Sequence, residues 1–256
     1  MRVYPFSTLP LEILTHIFAL ISSGVPNIRP LDLLPYPAWL PIIHVCHYWC
    51  TVTLSHAQLW TSITPGLSIP WIEVFIERSQ MMVMDLKFLI HPTAWSHAEN
   101  RLFCGDIIQL LKGFTRICSL YLTGNSIVIA PIMNTLCSLL PIQSLSICVE
   151  RDLGELALLD DLFGGKAPIH HLQFIAKRSC HIIAPGCLLH DVTHFTTKML
   201  LSSSALLNQL YPMSSLMHLE YWQPPELLWS YLHMPADTLP TSPIQMPQLM
   251  NMNIRA

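Results

Sequence analysis

One short pattern recurs six times between residues 83 and 221, and it constrains the fold more than any other feature of the sequence. Each copy carries apolar side chains, or threonine in one copy, at its first, fourth and sixth positions, as in Ile117-x-x-Leu120-x-Leu122. The copies begin at Val83, Ile117, Ile142, Ile169, Val192 and Leu216. From the second copy onward, the fourth positions follow one another at 23 to 27 residues, a spacing typical of solenoid repeats. The pattern therefore predicts stacked parallel strands.

Between these strands, apolar residues recur three or four positions apart, which predicts helices. The helices are expected at Ala98 to Lys112, Pro131 to Leu140, Asp152 to Phe163, Ser203 to Tyr211 and Glu226 to His233. After the second strand, Asn125 is expected to satisfy backbone groups at the turn. The alternative is a doubly wound α/β domain, but a nucleotide binder of that kind needs a glycine-rich turn from strand to helix. Gly164-Gly165 follows a predicted helix instead, so we favour repeats.

A helical head is predicted before the repeats. Pro10 suits the first position of a helix and Glu12 its first turn. The apolar residues that follow at helical spacing are Ile13, Leu14, Ile17, Phe18 and Ile21. A helix of this length is marginal in water alone, so its apolar face must pack on a neighbour, which the apolar residues between Trp39 and Trp60 supply. The predicted organisation is a head over 1–64 with a proline-rich insertion at 22–37, a linker helix within 65–82, and a repeat region over 83–256.

The head resembles a known family. Leu9-Pro-Leu-Glu-Ile-Leu14, Ile17-Phe18, Val45-Cys46-x-x-Trp49 and Leu59-Trp60 are similar to the F-box, the helical module that docks substrate receptors onto a Skp-type adaptor of cullin-RING ubiquitin ligases. This sequence pattern most resembles that of F-box proteins of mushroom-type fungi, in which irregular leucine-rich repeats follow the module. The resemblance implies an α/β fold class, with an all-α F-box module followed by an irregular leucine-rich-repeat solenoid with a parallel sheet.

The resemblance also implies which residues bind the adaptor. They are Leu9, Pro10, Leu14, Ile17, Phe18, Val45, Cys46 and Trp49. The chain departs from the family pattern at His47 and Tyr48, where a basic residue is usual, and at Pro41, early in the expected second helix. Trp39, Trp49 and Trp60 fit either the core or an adaptor contact, and we favour the core.

The strand register predicts a second surface, because side chains alternate across a strand and equivalent positions of stacked strands form columns. The first column is Ser119, Ser144, His171, His194 and His218; the second is Tyr121, Ser146, Gln173, Thr196 and Glu220; the third is Thr123, Cys148, Ile175, Lys198 and Trp222. The residues predicted to bind substrate are Tyr121, His171, Gln173, His194, Lys198, His218, Glu220 and Trp222. In this hypothesis the histidines titrate as a coupled set that favours an acidic or phosphorylated segment, with Trp222 as a flat apolar anchor. The alternative is a coincidence of three solvated histidines.

Composition and motifs exclude several function classes. The formal net charge is −3 and no basic patch is present, which argues against nucleic acid as a partner. No GxSxG, HExxH or GxxxxGK[ST] motif occurs, so we expect neither an enzyme nor a cofactor. Two groups have residue types that zinc uses, namely Cys180, Cys187, His190 and His194, and Cys46, Cys50 and His56. We interpret both as ordinary thiols and histidines rather than metal sites.

Membrane insertion is disfavoured for similar reasons. The apolar stretch after Arg2 is interrupted by Glu12 and His16, and the uncharged run from Ile127 to Val149 contains Pro131 and Pro141. The eight cysteines form no CxxC pair, which favours buried reduced thiols and a cytoplasmic or nuclear location.

The sequence thus predicts a substrate receptor that bridges a Skp-type adaptor and cullin complex and an unidentified protein substrate. The alternative is a non-catalytic repeat scaffold whose head serves only packing. A further strand is predicted at Leu249-x-x-Met252-x-Ile254, after which the sequence ends without a covering helix. We expect from this a truncated array that is poorly soluble alone.

Overall fold

The fold is described from a computed structural model. The described residues are 9–23, 37, 39–64, 67–90, 105, 107–112, 116–135, 142–150, 154–158, 168–176, 180–199, 201, 203–222 and 246–255. The chain divides into two compact units, Met1–Phe88 and Leu89–Ala256, which we call the first and second units. Residues 24–36 of the predicted proline-rich insertion and the helix predicted at 226–233 lie outside the described residues, while Ser22 and Ser23 belong to the first helix.

The first unit is helical with one strand pair. Helix α1 (Leu11–Ser23) is followed by a 3-10 helix (Leu40–His44), α2 (His47–Ser55), a second 3-10 helix (Ala57–Trp60), β1 (Ser62–Ile63), α3 (Ile69–Arg78) and β2 (Met84–Leu89), and β1 pairs with β2 in parallel. The helices predicted at Pro10 and at Ile69 are therefore confirmed. Pro41 lies in the first 3-10 helix, at a position near its start where a missing N–H costs little, and α2 begins only after it.

An aromatic cluster forms the core of the first unit. The ring centroids of Trp39 and Trp60 are 5.0 Å apart, and Phe75 of α3 lies 5.0 Å from Trp60 and 5.9 Å from Trp39. The indole Nε1 of Trp60 donates to the carbonyl oxygen of Thr53 at 2.9 Å, so its polar atom is satisfied although the ring is buried. The core interpretation of Trp39 and Trp60 is confirmed. Arg78 lies over the outer part of this cluster, 5.2 Å from the Trp60 ring centroid.

The second unit is built on a parallel sheet. Residues 107–112 form helix α4, and the elements that follow are β3 (Ile117–Gly124), α5 (Ser126–Thr135), β4 (Ser144–Val149), β5 (Gly154–Ala157), β6 (His171–Ala176), β7 (Cys180–Ile183), α6 (Gly186–Leu189), β8 (His194–Lys198), α7 (Ser203–Leu210), β9 (His218–Trp222) and β10 (Asn251–Arg255). Within this unit the strand order is β3-β4-β6-β8-β9-β10. The strands predicted from the recurring pattern are all present.

The register between neighbouring strands follows the pattern position by position. The fourth positions Leu120, Leu145, Leu172, Phe195 and Leu219 pair in one row, and Met252 of β10 continues it. The five members from β3 to β9 are buried, as are the residues two positions later in each of those strands. The apolar face of the sheet therefore forms the core of the second unit, as predicted.

Asn125 has the local role that the sequence predicts. It lies directly before α5, and its side-chain Oδ1 accepts a hydrogen bond from the backbone N–H of Val128 at 3.0 Å. This bond satisfies one of the backbone donors that the first turn of a helix leaves unpaired. Helix α5 begins at Ser126, five residues before the expected start at Pro131, because the cap rather than the proline fixes its first turn.

One predicted helix is wrong over its described part. The helix expected at Asp152 to Phe163 is replaced at Gly154–Ala157 by β5, which pairs in parallel with β7 in a separate two-stranded sheet. Leu156 and Leu158 are buried while Ala157 between them is exposed, an alternation of period two that marks a strand. A short apolar run of this kind does not distinguish a strand from a helix by spacing alone. The helix predicted at Ser203 is confirmed as α7.

Two other expectations can be compared with the described residues. Cys148 is buried as expected. Cys46, Cys50 and Cys118 are half-buried and Cys187 is exposed, because these side chains lie on the solvent-facing sides of their elements.

In the part of the chain that the structure describes, no helix combines the length and the apolar character needed to cross a bilayer.

Candidate functional site

The residues of the first column stand side by side on the face of the sheet opposite the core. The pairing is Ser119 with Ser144, Ser144 with His171, His171 with His194, and His194 with His218, and Asn251 of β10 extends the row. His171 is exposed, while His194 and His218 are half-buried. We call His171, His194 and His218 the histidine column.

The three imidazole rings of the histidine column are stacked. The ring centroids of His171 and His194 lie 4.3 Å apart at an interplanar angle of 26°, and those of His194 and His218 lie 4.4 Å apart at 21°. The spacing follows from the distance between neighbouring strands, which is about 4.8 Å. Three equivalent ring positions therefore follow one another across strands β6, β8 and β9.

The central ring has a defined hydrogen bond. The hydroxyl of Thr193 donates to the carbonyl oxygen of His170 at 3.0 Å, and the Thr193 hydroxyl oxygen lies 2.9 Å from Nδ1 of His194. Which of the two atoms donates in the second contact depends on the tautomer of the ring. In either tautomer, Nδ1 of His194 is directed to Thr193 and Nε2 is not.

The pKa of His194 lies below its ordinary value of 6.5. Partial burial is the largest cause, because it disfavours the charged ring, and the charges of His171 and His218 on either side add to it. The unfolded chain thus binds more protons than the folded chain in the pH range between the lowered pKa and 6.5.

This difference predicts a pH dependence of stability. As the pH falls through 6.5, His194 is expected to destabilise the second unit progressively, and the loss is complete below the lowered pKa. Urea unfolding of the wild type and of His194→Gln at pH 7.5 and 5.5 measures it, and the variant should lose less free energy of unfolding between the two. His190→Gln, a change of an exposed histidine outside the column, serves as the control. An equal loss in wild type and His194→Gln would contradict the assignment.

The second column contains two separate hydrogen-bonded groups. Ser146 Oγ donates to Gln173 Oε1 at 2.8 Å. Farther along the row, the carboxylate of Glu220 accepts from Trp222 Nε1 at 2.6 Å and from the hydroxyl of Thr196 at 3.5 Å. Tyr121 is half-buried in the same row. The carboxylate of Glu220 is thereby held against its own sheet.

Trp222 differs from the expected flat apolar anchor. Its indole N–H is bonded to Glu220, and Nζ of Lys198 lies 4.3 Å from its ring centroid, a distance typical of a cation–π contact. One face and the polar edge of the ring are therefore occupied within the molecule. Lys198 is also separate from the histidines, since it lies four residues after His194 on β8, about 13 Å along the strand.

The third column is open at only one end. Thr123 and Cys148 are buried, whereas Ile175, Lys198 and Trp222 are half-buried. The prediction that this whole column lies on an open face is therefore wrong for β3 and β4. In this column the accessible residues lie on β6, β8 and β9, the strands that also carry the histidine column.

Neither group considered for zinc forms a metal site among the described side chains. No cluster of three or more His, Cys, Asp or Glu there could hold a metal ion. His190 Nδ1 lies 3.0 Å from the carboxylate of Asp191, and Cys187 lies on α6. Cys180 is on β7, and its side chain is outside the described ones.

The residues expected at the adaptor contact of the first unit separate into two sets. Leu14 and Phe18 are fully buried, and the Phe18 ring packs edge-on against Trp49 with centroids 5.6 Å apart. These two side chains support the core and cannot contact a partner in this conformation. Leu9, Ile17, Cys46 and Trp49 are half-buried, while Pro10 and Val45 are exposed. Tyr48 donates to the carbonyl oxygen of Leu9 at 3.1 Å and so links α2 to the start of α1.

Three exposed apolar side chains of α1 were not among the predicted contact residues. Leu11 and Ile13 are 50% exposed and Leu20 is 56% exposed, as is Val45 outside the helix. Ile13, Ile17 and Leu20 share one side of α1 because they are four and then three residues apart. We call Ile13, Leu20 and Val45 the head surface. The sequence signal was present, but a helix that is apolar on two sides does not reveal which side faces the core.

Comparison with known proteins identifies the first unit only. The family model described as F-box-like matches residues 6–65. No curated protein and no solved structure matches the chain. The match confirms the resemblance read from Leu9 to Trp60: residues 6–65 form an F-box-like domain.

Proposed function

We propose that this chain is the substrate-recognition subunit of an SCF-type ubiquitin ligase. The F-box-like domain would bind a Skp-type adaptor, and through it the cullin, while the second unit would bind a protein substrate in the cytoplasm or nucleus. The chain itself would not catalyse ubiquitin transfer. The observation that carries the proposal is the F-box-like match over residues 6–65.

The head surface supports adaptor binding. Ile13, Leu20 and Val45 are each at least half exposed, and their burial against a partner would be favourable because it removes apolar area from water. Leu14 and Phe18 hold α1 against its neighbours from the opposite side. Helix α1 thus has one apolar side for the core and a second that is accessible to a partner.

The sheet of the second unit supports substrate binding by an irregular leucine-rich-repeat array. Its strands repeat at 23 to 27 residues and keep one register across the row. On the open face this register brings together side chains that are distant in sequence, including Gln173, Thr196 and Glu220. Repeat arrays commonly use such extended surfaces for binding proteins.

Co-purification of the full chain with a Skp-type adaptor tests the proposal. Ile13→Ala and Val45→Ala together are expected to weaken adaptor binding by about 2 kcal/mol, roughly thirtyfold, because both remove exposed apolar contact area without touching the core. Met81→Ala is the matched control, since Met81 is the most exposed apolar side chain described in the same unit and lies outside the head surface.

Phe18→Ala is unsuitable as a contact variant because it removes a buried core side chain. If the wild-type chain fails to bind any Skp-type adaptor while remaining folded, the alternative of a repeat scaffold with a purely structural head is favoured. If the adaptor binds but the double variant retains full affinity, the head surface is not the contact.

A further inference from the structure

We infer that the histidine column binds an anionic oxygen group, a carboxylate or a phosphoryl group on a side chain of a partner segment, and takes up a proton when it does so. The inference deepens the proposed function and rests on it for the statement that the partner is a substrate. The binding site itself is formed by His171, His194 and His218 of the second unit.

The rings are placed to share one ligand. Neighbouring centroids are only 4.3 and 4.4 Å apart, so an oxygen group lying over the gap between two rings is within reach of both at charge-assisted hydrogen-bond distances of about 2.8 Å. Nδ1 of His194 is directed to Thr193, which leaves Nε2 for such a ligand. The rings of His171 and His218 form no hydrogen bond with a described residue, so neither needs to break one.

The described carboxylates that are near the column in sequence contact other side chains and not the histidine rings of the column. Asp191 and Glu220 are the nearby carboxylates: Asp191 pairs with His190 at 3.0 Å, and Glu220 accepts from Trp222 and Thr196. On the flanking strands, Ser144 and Asn251 carry no charge, and the remaining nearby titratable groups are His170 and Lys198. No acidic side chain of the described residues therefore occupies the place that an external anion would take.

Binding and protonation are coupled at this site. Partial burial disfavours the charged form of His194, and the charges of His171 and His218 add to this, so His194 resists protonation when the site is empty. An anion beside two rings favours their charged forms and raises their pKa values. The affinity for the anion must therefore increase as the pH falls. At pH 7 a phosphoryl group has a charge near −1.5 to −2, so it is expected there to favour protonation of the column more than a carboxylate does.

The test uses the full chain and three peptides of the form Gly-Ala-X-Ala-Gly, in which X is phosphoserine, glutamate or serine. Titrations at pH 7.5 and 5.5 measure their affinities, and the ring C–H resonances of the histidines report their pKa values with and without peptide. One or both anionic peptides are expected to bind about tenfold tighter at pH 5.5 than at 7.5 and to raise the column pKa values. The serine peptide should show neither effect.

Variants test whether the pH dependence of peptide binding arises at the histidine column. The triple change of His171, His194 and His218 to glutamine should abolish the pH dependence, and the single variant His194→Gln should reduce it if the triple variant does not fold. His190→Gln is the matched control and should behave as the wild type. Whichever anionic peptide binds more tightly shows whether the column prefers a phosphoryl group or a carboxylate. The inference is overturned if neither anionic peptide binds better than the serine peptide, or if His194→Gln and the folded triple variant retain the full pH dependence. Neither result depends on an adaptor. A negative result in the peptide titrations therefore does not change the interpretation of the adaptor co-purification.

Discussion

Replacement of Trp60 by alanine is expected to destabilise the first unit by about 4 kcal/mol. The indole is almost completely buried, lies edge-on to both Trp39 and Phe75, and donates to the carbonyl oxygen of Thr53. Its removal leaves a large cavity between three elements and takes away one of the two hydrogen bonds that the Thr53 carbonyl accepts, and both effects lower the free energy of unfolding. Urea unfolding followed by far-ultraviolet circular dichroism measures the loss.

Trp71→Ala provides the matched control, because the same ring is removed from the exposed side of α3 in the same unit. Its cost should stay below about 1 kcal/mol. The Trp60→Ala variant should also lose adaptor binding through unfolding, whereas Trp71→Ala should keep the fold. Similar losses of stability in the two variants would show that the aromatic cluster is not the core of this unit.

Phe174→Ala is expected to cost the second unit about 3 to 5 kcal/mol. Phe174 lies in the middle of β6, is completely buried, and packs edge-on against Phe195 of the next strand with centroids 5.9 Å apart. Since the strands on both sides contribute to the same row, few neighbouring side chains can move in to fill the space. Urea unfolding of the full chain at pH 7.5 gives the free-energy difference.

The neighbouring residue on β6 supplies the control. Gln173 lies on the opposite face, half-buried, where its amide oxygen accepts from Ser146. Gln173→Ala should therefore cost less than about 1 kcal/mol. A larger loss from Gln173→Ala than from Phe174→Ala would mean that β6 presents its other face to the core, and the histidine column would then not exist on the open side.

The strands and their register were predictable from the sequence. Apolar residues at the fourth and sixth positions of each copy specify which face is buried, and a shift by one residue would expose all of them. The register of Leu120, Leu145, Leu172, Phe195 and Leu219 therefore follows from burial alone. The placement of His171, His194 and His218 in one column is a direct consequence of this register. The asparagine cap of α5 could also be predicted from the sequence, because it depends on residues only three apart.

Other features depend on contacts that no sequence pattern specifies. The helix predicted at 152–163 failed at β5 because its pairing partner, β7, lies more than twenty residues away, and a strand is stabilised by its neighbour rather than by its own sequence. Burial of Leu14 and Phe18 and exposure of Ile13 and Leu20 were decided by which side of α1 meets the rest of the unit. Both sides are apolar, so the spacing is the same for either choice.

The chemistry of the open face shows the same division. The sequence by itself determined which side chains share a column, because strand alternation is fixed by backbone geometry. Only the tertiary structure decided that the three imidazoles stack, that Glu220 is held by Trp222 and Thr196, and that Lys198 lies over the Trp222 ring instead of beside the histidines. Side-chain rotamers and partners depend on the local environment of all neighbouring strands together, and that environment exists only once the sheet has formed.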